Sequence, residues 1–236
     1  MQPEHIRVSA RGVGTLVLVA IGGIAVTSLT LQYLSLQGGY TVPGRLLRMF
    51  NLDAENNLPT WLSSVNLAIC AVLLFVIARA KQTRHEAHGP HFYGLAALFV
   101  YLSLDEAASI HEMAQGPVER IIGRSGVYVG WVLPAMIIVS ALAFVFLRFF
   151  LAQSLRYRVL FALAGIMYVG GAIGFEMVSW SYHPNPESPI AEADLRYVVL
   201  NLVEEVLEML GVAVFLISLM LYMSEHRLSV CFTIED

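Results

Sequence analysis

The chain has 236 residues, of which 57% are hydrophobic and only 14% charged. A soluble globular domain carries about 25% charged residues and about 45–50% apolar ones, so this balance excludes an ordinary water-soluble fold. The formal net charge is −4, and no basic stripe marks a nucleic-acid partner.

The charges fall in short clusters separated by long apolar runs, the pattern of a multi-pass membrane protein. Arg7 and Arg11 precede an apolar stretch from Val13 to Leu36. That stretch exceeds the roughly 7–15 residues of a signal-peptide core and ends in no small-x-small cleavage site, so it is expected to be an uncleaved first span, 13–36. The loop 37–59 holds Gly38-Gly39 and Pro43-Gly44, then Arg45 to Phe50, where arginines alternate with apolar residues as in a short interfacial helix. A second span, 60–80, carries Cys70, and a basic loop Lys81–His91 follows. His85, His88 and His91 recur there every third residue and are expected to lie on a solvated face.

The third span, 92–113, is interrupted by Asp105, Glu106, His111 and Glu112. The fourth, 126–150, contains Pro134, which is expected to kink it. The fifth, 158–181, carries a Gly170-x-x-x-Gly174 packing motif and Glu176. A proline-rich loop, His183 to Arg196, leads to the sixth span, 197–223, which carries Glu204, Glu205 and Glu208. Cys231 lies in the tail, too far from Cys70 to suggest a disulfide framework. Trp61, Trp131, Trp180 and Tyr182 sit near span ends, as the aromatic belt requires.

The expected fold is therefore all-α: a six-transmembrane-helix bundle forming one integral membrane domain over residues 1–236, with N-in/C-in topology. This arrangement puts Arg7, Arg11, Arg79, Lys81, Arg84, Arg148, Arg156, Arg158 and Arg227 inside. It leaves only Arg45, Arg48, Arg120, Arg124 and Arg196 outside, in keeping with the positive-inside bias. Omitting the third span would invert everything after it. The expected location is a bacterial inner (plasma) membrane, with the lipid bilayer as the first partner.

An acid at the centre of a span costs roughly 2.5–3.5 kcal/mol on insertion scales. Such residues normally face a bundle interior and mark a pathway or a site. With six spans, Asp105, Glu106, Glu112, Glu176, Glu204, Glu205 and Glu208 all fall in the outer half of the bundle or at its midplane. Helical phase puts Asp105 and Glu112 on one face, with Glu106 about 100° away. Asp105, Glu112 and Glu208 are expected to share one interior cluster, with Glu176 and Glu204 or Glu205 close by. No lysine or arginine lies at the same depth, so protons, water or a cation must offset the charge.

Asp105, His111, Glu112, Glu176, Glu204, Glu205 and Glu208 are accordingly candidate ligands of a divalent metal. Oxygen and imidazole donors without a thiolate or methionine cluster point to iron, manganese or zinc. No Glu-x-x-His, H-E-x-x-H, serine-nucleophile or phosphate-loop motif is present. The leading expectation is a metal-dependent membrane enzyme, an oxidoreductase or hydrolase, acting on a lipid-like or quinone-like small molecule. The alternatives are a proton-coupled transporter or proton relay, and a non-catalytic subunit of a membrane complex.

Overall fold

The computed structural model describes residues 8–37, 41–111, 113, 132–181 and 195–228. Glu112, Arg7, Arg120, Arg124, Trp131, Tyr182, Cys231, residues 126–130 of the expected fourth span and most of the second outer loop lie outside these. Every described regular element is helical: α1 (Ala10–Leu36), α2 (Gly44–Phe50), α3 (Leu58–Thr83), α4 (Gly89–Ala108), α5 (Val132–Leu151) and α6 (Leu155–Val169). A π-helical turn over Gly170–Phe175 then leads into α7 (Glu176–Ser181), and α8 (Leu195–Glu225) closes the chain.

Five segments among the described residues are long and apolar enough to cross a membrane: α1, α3, α5, the run Leu155–Ser179, and α8. Their outward faces carry large apolar side chains in the open, with Phe144 80% and Leu16 70% exposed. A monomer in water rarely tolerates such a continuous apolar surface, whereas lipid covers it without penalty. This is the architecture of a multi-pass helical membrane protein. The short helix expected over Arg45–Phe50 is present as α2, one residue longer at its start.

The third expected span has a different form. Its helix starts earlier, at Gly89, and stops at Ala108, where Ser109 takes a left-handed backbone (φ 53°) and ends it. The span expected to reach residue 113 is thus cut short, and its phase beyond Ala108 is broken. α4 still lies antiparallel along α3 for most of its length. Ser64 and Ser103 are hydrogen-bonded at one end, with Ser64 Oγ donating to the Ser103 carbonyl oxygen at 2.9 Å. At the other end, Gly89 meets Ala78 and Gln82. Between Ser64 and Ala78, α3 advances about 21 Å, and α4 returns the same distance.

α8 is the central element, packing against α1, α3, α6, the π turn and α7. Glycine makes its closest contact possible. A Cβ on Gly211 would lie 2.7 Å from the Tyr168 backbone nitrogen, and one on Gly171 would lie 2.8 Å from the Glu204 carbonyl oxygen. The expected Gly170–Gly174 pair faces open space instead. The packing glycine is the one between them, because the π turn inserts an extra residue and rotates the helix.

These contacts sort the charges. Gly14 against Ile217, Arg84 against the His226 carbonyl, and Tyr157 against Tyr222 gather one end of the bundle. That end holds Arg11, Arg79, Lys81, Arg84, Arg148, Arg156, Arg158 and Arg227, with Glu86 and Glu225. The opposite end holds Asp105, Glu106, Glu176, Glu204, Glu205 and Glu208, together with Asp53, Glu55, Arg45, Arg48 and Arg196. Between them Cys70, Leu74, Ile77, Ala213, Leu216 and Leu219 are each at most 1% exposed and form a dry apolar block.

A carboxyl cluster at the acidic end

The cluster is built from four chain segments. α8 presents Asn201, Glu204, Glu205 and Glu208 from its first four turns. Glu204 is only 3% exposed, whereas Glu205 and Glu208 are half-buried. Ser179 on α7 donates a hydrogen bond from its hydroxyl to Glu204 Oε2 at 2.9 Å. The Glu176 carboxyl lies close to Glu204. The π turn enables this meeting, since Gly171 lets the α6–α7 segment approach the backbone of α8 at Glu204 and Glu208.

α4 brings Asp105 and Glu106 to the same end. Glu106 is in electrostatic range of both Glu205 and Glu208. It thereby joins the cluster, although its phase about 100° from Asp105 made it the expected exception. After Ser109 the chain turns back, and the His111 backbone N–H donates to Asp105 Oδ1 at 2.8 Å. The His111 ring approaches Asp105 Oδ2 through Nδ1 at 3.2 Å, and its Nε2 lies 3.8 Å from Glu55 Oε1. Asp105 therefore faces His111, on the side of the loop that carries Glu55. Glu112 lies outside the described residues.

The loop after α2 supplies two acids that the pattern of spans did not single out. Asp53 Oδ1 accepts hydrogen bonds from the Tyr197 hydroxyl at 2.8 Å and from Asn201 Nδ2 at 3.0 Å. Glu55 meets His111 as described. Asn57 shapes this loop: its Nδ2 donates to the Asn51 and Ala54 carbonyl oxygens, each at 2.6 Å, while its Oδ1 accepts from the Thr60 N–H and caps α3. Leu52, 4% exposed, plugs the loop onto the bundle. A recognisable cap, Asn57 before Leu58-Pro59-Thr60, was the sequence signal for this ordered loop. Tyr168 also lies close to the acids, in range of Glu208, Glu106 and Asp105.

The structure thus joins Asp105 with His111, Glu176 with Glu204, and Glu106 with Glu205 and Glu208. Among the described residues, no three His, Cys, Asp or Glu side chains are arranged to hold a metal ion. His85, His88 and His91 lie at the basic end, where His88 and His91 pack edge-on to each other and His91 stacks on Phe149. Neither lysine nor arginine occurs between Leu58 and Ala78, between Phe92 and Ala108, or between Tyr197 and Met223.

Fold and site together define a multi-pass helical membrane protein with a carboxyl cluster confined to one end of its bundle. The chain belongs to a family described as a domain of unknown function, DUF8692, whose profile matches residues 13–223. That match reaches from the first turns of α1 to the last turns of α8. No curated protein and no solved structure matches the chain.

Proposed function

We propose that the carboxyl cluster takes up and releases protons from the outer aqueous side of a bacterial inner membrane, as the proton-binding part of a proton-coupled membrane protein. The observation that carries this reading is the gathering of Glu106, Glu176, Glu204, Glu205 and Glu208 at one end of the bundle, where the Ser179 hydroxyl donates to Glu204 Oε2 at 2.9 Å. Carboxyl groups collected inside membrane spans are the usual parts of a proton relay. A chain of groups supports exchange with the surface: Glu55 and His111 at the loop, then Asp105, Glu106, and Glu208 and Glu205.

The orientation follows from six spans. α4 has 20 residues, enough for about 30 Å of helix, and it returns alongside α3. Counting it as a span puts the arginine-rich end in the cytoplasm with both termini, in line with the positive-inside bias. The cluster then opens outward. The dry block between Glu208 and the basic end favours a blind cup over a wire across the bilayer, because proton conduction needs polar groups at every depth. A metal-dependent enzyme has less support, since the described donors do not converge as a ligand set.

Infrared difference spectroscopy on the protein in liposomes, stepped in external pH, tests the proposal. Wild type should show a carboxyl C=O band that follows the pH step, and Glu204→Gln and Glu176→Gln should each remove most of it. An unchanged band in both variants would sink the proton reading. Near-stoichiometric iron, manganese or zinc in the purified protein, lost on His111→Ala, would replace it with the metal-dependent one.

A further inference from the structure

At the basic end, a cavity of about 240 Å³ lies between the end of α3, the start of α4, the α5–α6 junction and the end of α8. Its wall includes Lys81, His88, Ser154, Tyr222, Glu225 and His226. None of these belongs to the carboxyl cluster. Tyr222 is fourteen residues beyond Glu208 on α8, about 21 Å along the axis. We propose that this cavity seats the phosphate group of an anionic phospholipid.

The cation is built into the wall. A lysine at a span end usually extends its ammonium into water, yet the Lys81 side chain is only 12% exposed. It is held inward by Glu86 at 2.9 Å and by the rings of Phe92 and Tyr222, at 5.9 and 5.7 Å from its nitrogen. The His226 ring stacks on Tyr222, with centroids 4.0 Å apart, and its Nδ1 lies 2.9 Å from the Tyr222 carbonyl oxygen. That contact makes Nδ1 the donor, so Nε2 donates to a phosphate oxygen when the ring is protonated. Ser154 begins α6, but its hydroxyl makes no capping bond there and remains available to a ligand oxygen.

The acids nearby are already engaged. Glu225 accepts from the Tyr157 hydroxyl at 2.6 Å and pairs with Arg156 at 3.3 Å, while Glu86 is held by Lys81. Arg84, Arg148, Arg158 and Arg227 at the same end add a positive field. The cavity lies where helices end, at the depth of a lipid headgroup. Basic pockets between transmembrane helices on the cytoplasmic side recognise anionic headgroups through such contacts.

Native mass spectrometry of the purified full chain, titrated separately with phosphatidylglycerol, phosphatidylcholine and inorganic phosphate, distinguishes the sources. Wild type should retain phosphatidylglycerol at least about fivefold better than phosphatidylcholine, the worth of one cationic contact at an anionic surface. Lys81→Gln with His226→Gln should erase that preference. Ala152→Trp should erase it too, by filling the cavity from its rim without removing a charge. Arg11→Gln, at the same end but outside the cavity, should retain the preference. Undiminished preference in Ala152→Trp would overturn the proposal even if the double variant failed to fold. So would an equal loss in Arg11→Gln, equal retention of the two lipids by wild type, or binding of inorganic phosphate alone.

Discussion

Single atoms decide how closely α6 and its π turn approach α8. A methyl group on Gly171 would meet the Glu204 carbonyl oxygen at 2.8 Å and Glu208 Cγ at 2.7 Å, and backbone cannot retreat as a flexible side chain can. Overpacking of this kind costs about 1–3 kcal/mol. Gly171→Ala should therefore lower thermal stability in detergent clearly, whereas Gly174→Ala, which meets nothing within 4 Å, should not. Equal melting of the two variants would mean that the close contact is not what holds these helices. At the basic end the Lys81 ammonium, bonded to Glu86, holds that carboxyl below its ordinary value of 4.5. A carboxyl depressed on folding stabilises the fold above its unfolded pKa, and the contribution is lost as pH falls through the lower folded value. The Glu86 carboxyl carbon should accordingly titrate below pH 4.5 in wild type and move up in Lys81→Gln; identical midpoints would show that the ion pair does not hold in solution.

The π turn is the element that aims Glu176. An unbroken α-helix from Leu155 would present residue 176 about 100° away for each residue of difference in phase. Deleting Ile173 removes the extra residue and should leave Glu176 facing Glu204, whereas deleting Ile173 and Gly174 together should turn it away by about 100°. With Cys70 and Cys231 replaced, Glu176→Cys and Glu204→Cys should oxidise to a disulfide in the full-length background and in the single deletion, and not in the double deletion. Crosslinking in the double deletion would show that the turn does not set this geometry. α4 shows the same logic at its end. Because Ser109 breaks the helix, Asp105 and His111 meet through a reversal of the chain rather than along one helical face.

For the whole molecule, the separation of charge sets its orientation. Each Lys or Arg near a cytoplasmic surface is favoured there by the membrane's own fields and by insertion. Reporters inserted after His85 and fused after Leu228 should be cytoplasmic, and one inserted after Asn56 should be outside. A reporter at residue 228 on the same side as the one at Asn56 would mean that α4 does not cross. A cytoplasmic reporter at Asn56, beside Asp53 and Glu55, would put the carboxyl cluster on that side and remove its access to external protons.

Hydropathy and charge along the chain were enough to establish the helical membrane bundle, the approximate bounds of its long apolar helices, the short helix α2 and the gathering of acids at one end. Each of these depends on transfer of side chains between water and lipid, a property that adds up locally along the chain. The pairing of particular acids could not be read the same way. Glu176 lies near Glu204 because of a π turn, His111 meets Asp105 because α4 ends at Ala108, and Asp53 and Glu55 join from a loop shaped by Asn57. Helical phase computed for ideal α-helices carries no information past such a break. The break itself depends on how closely neighbouring backbones pack, which only the tertiary structure decides.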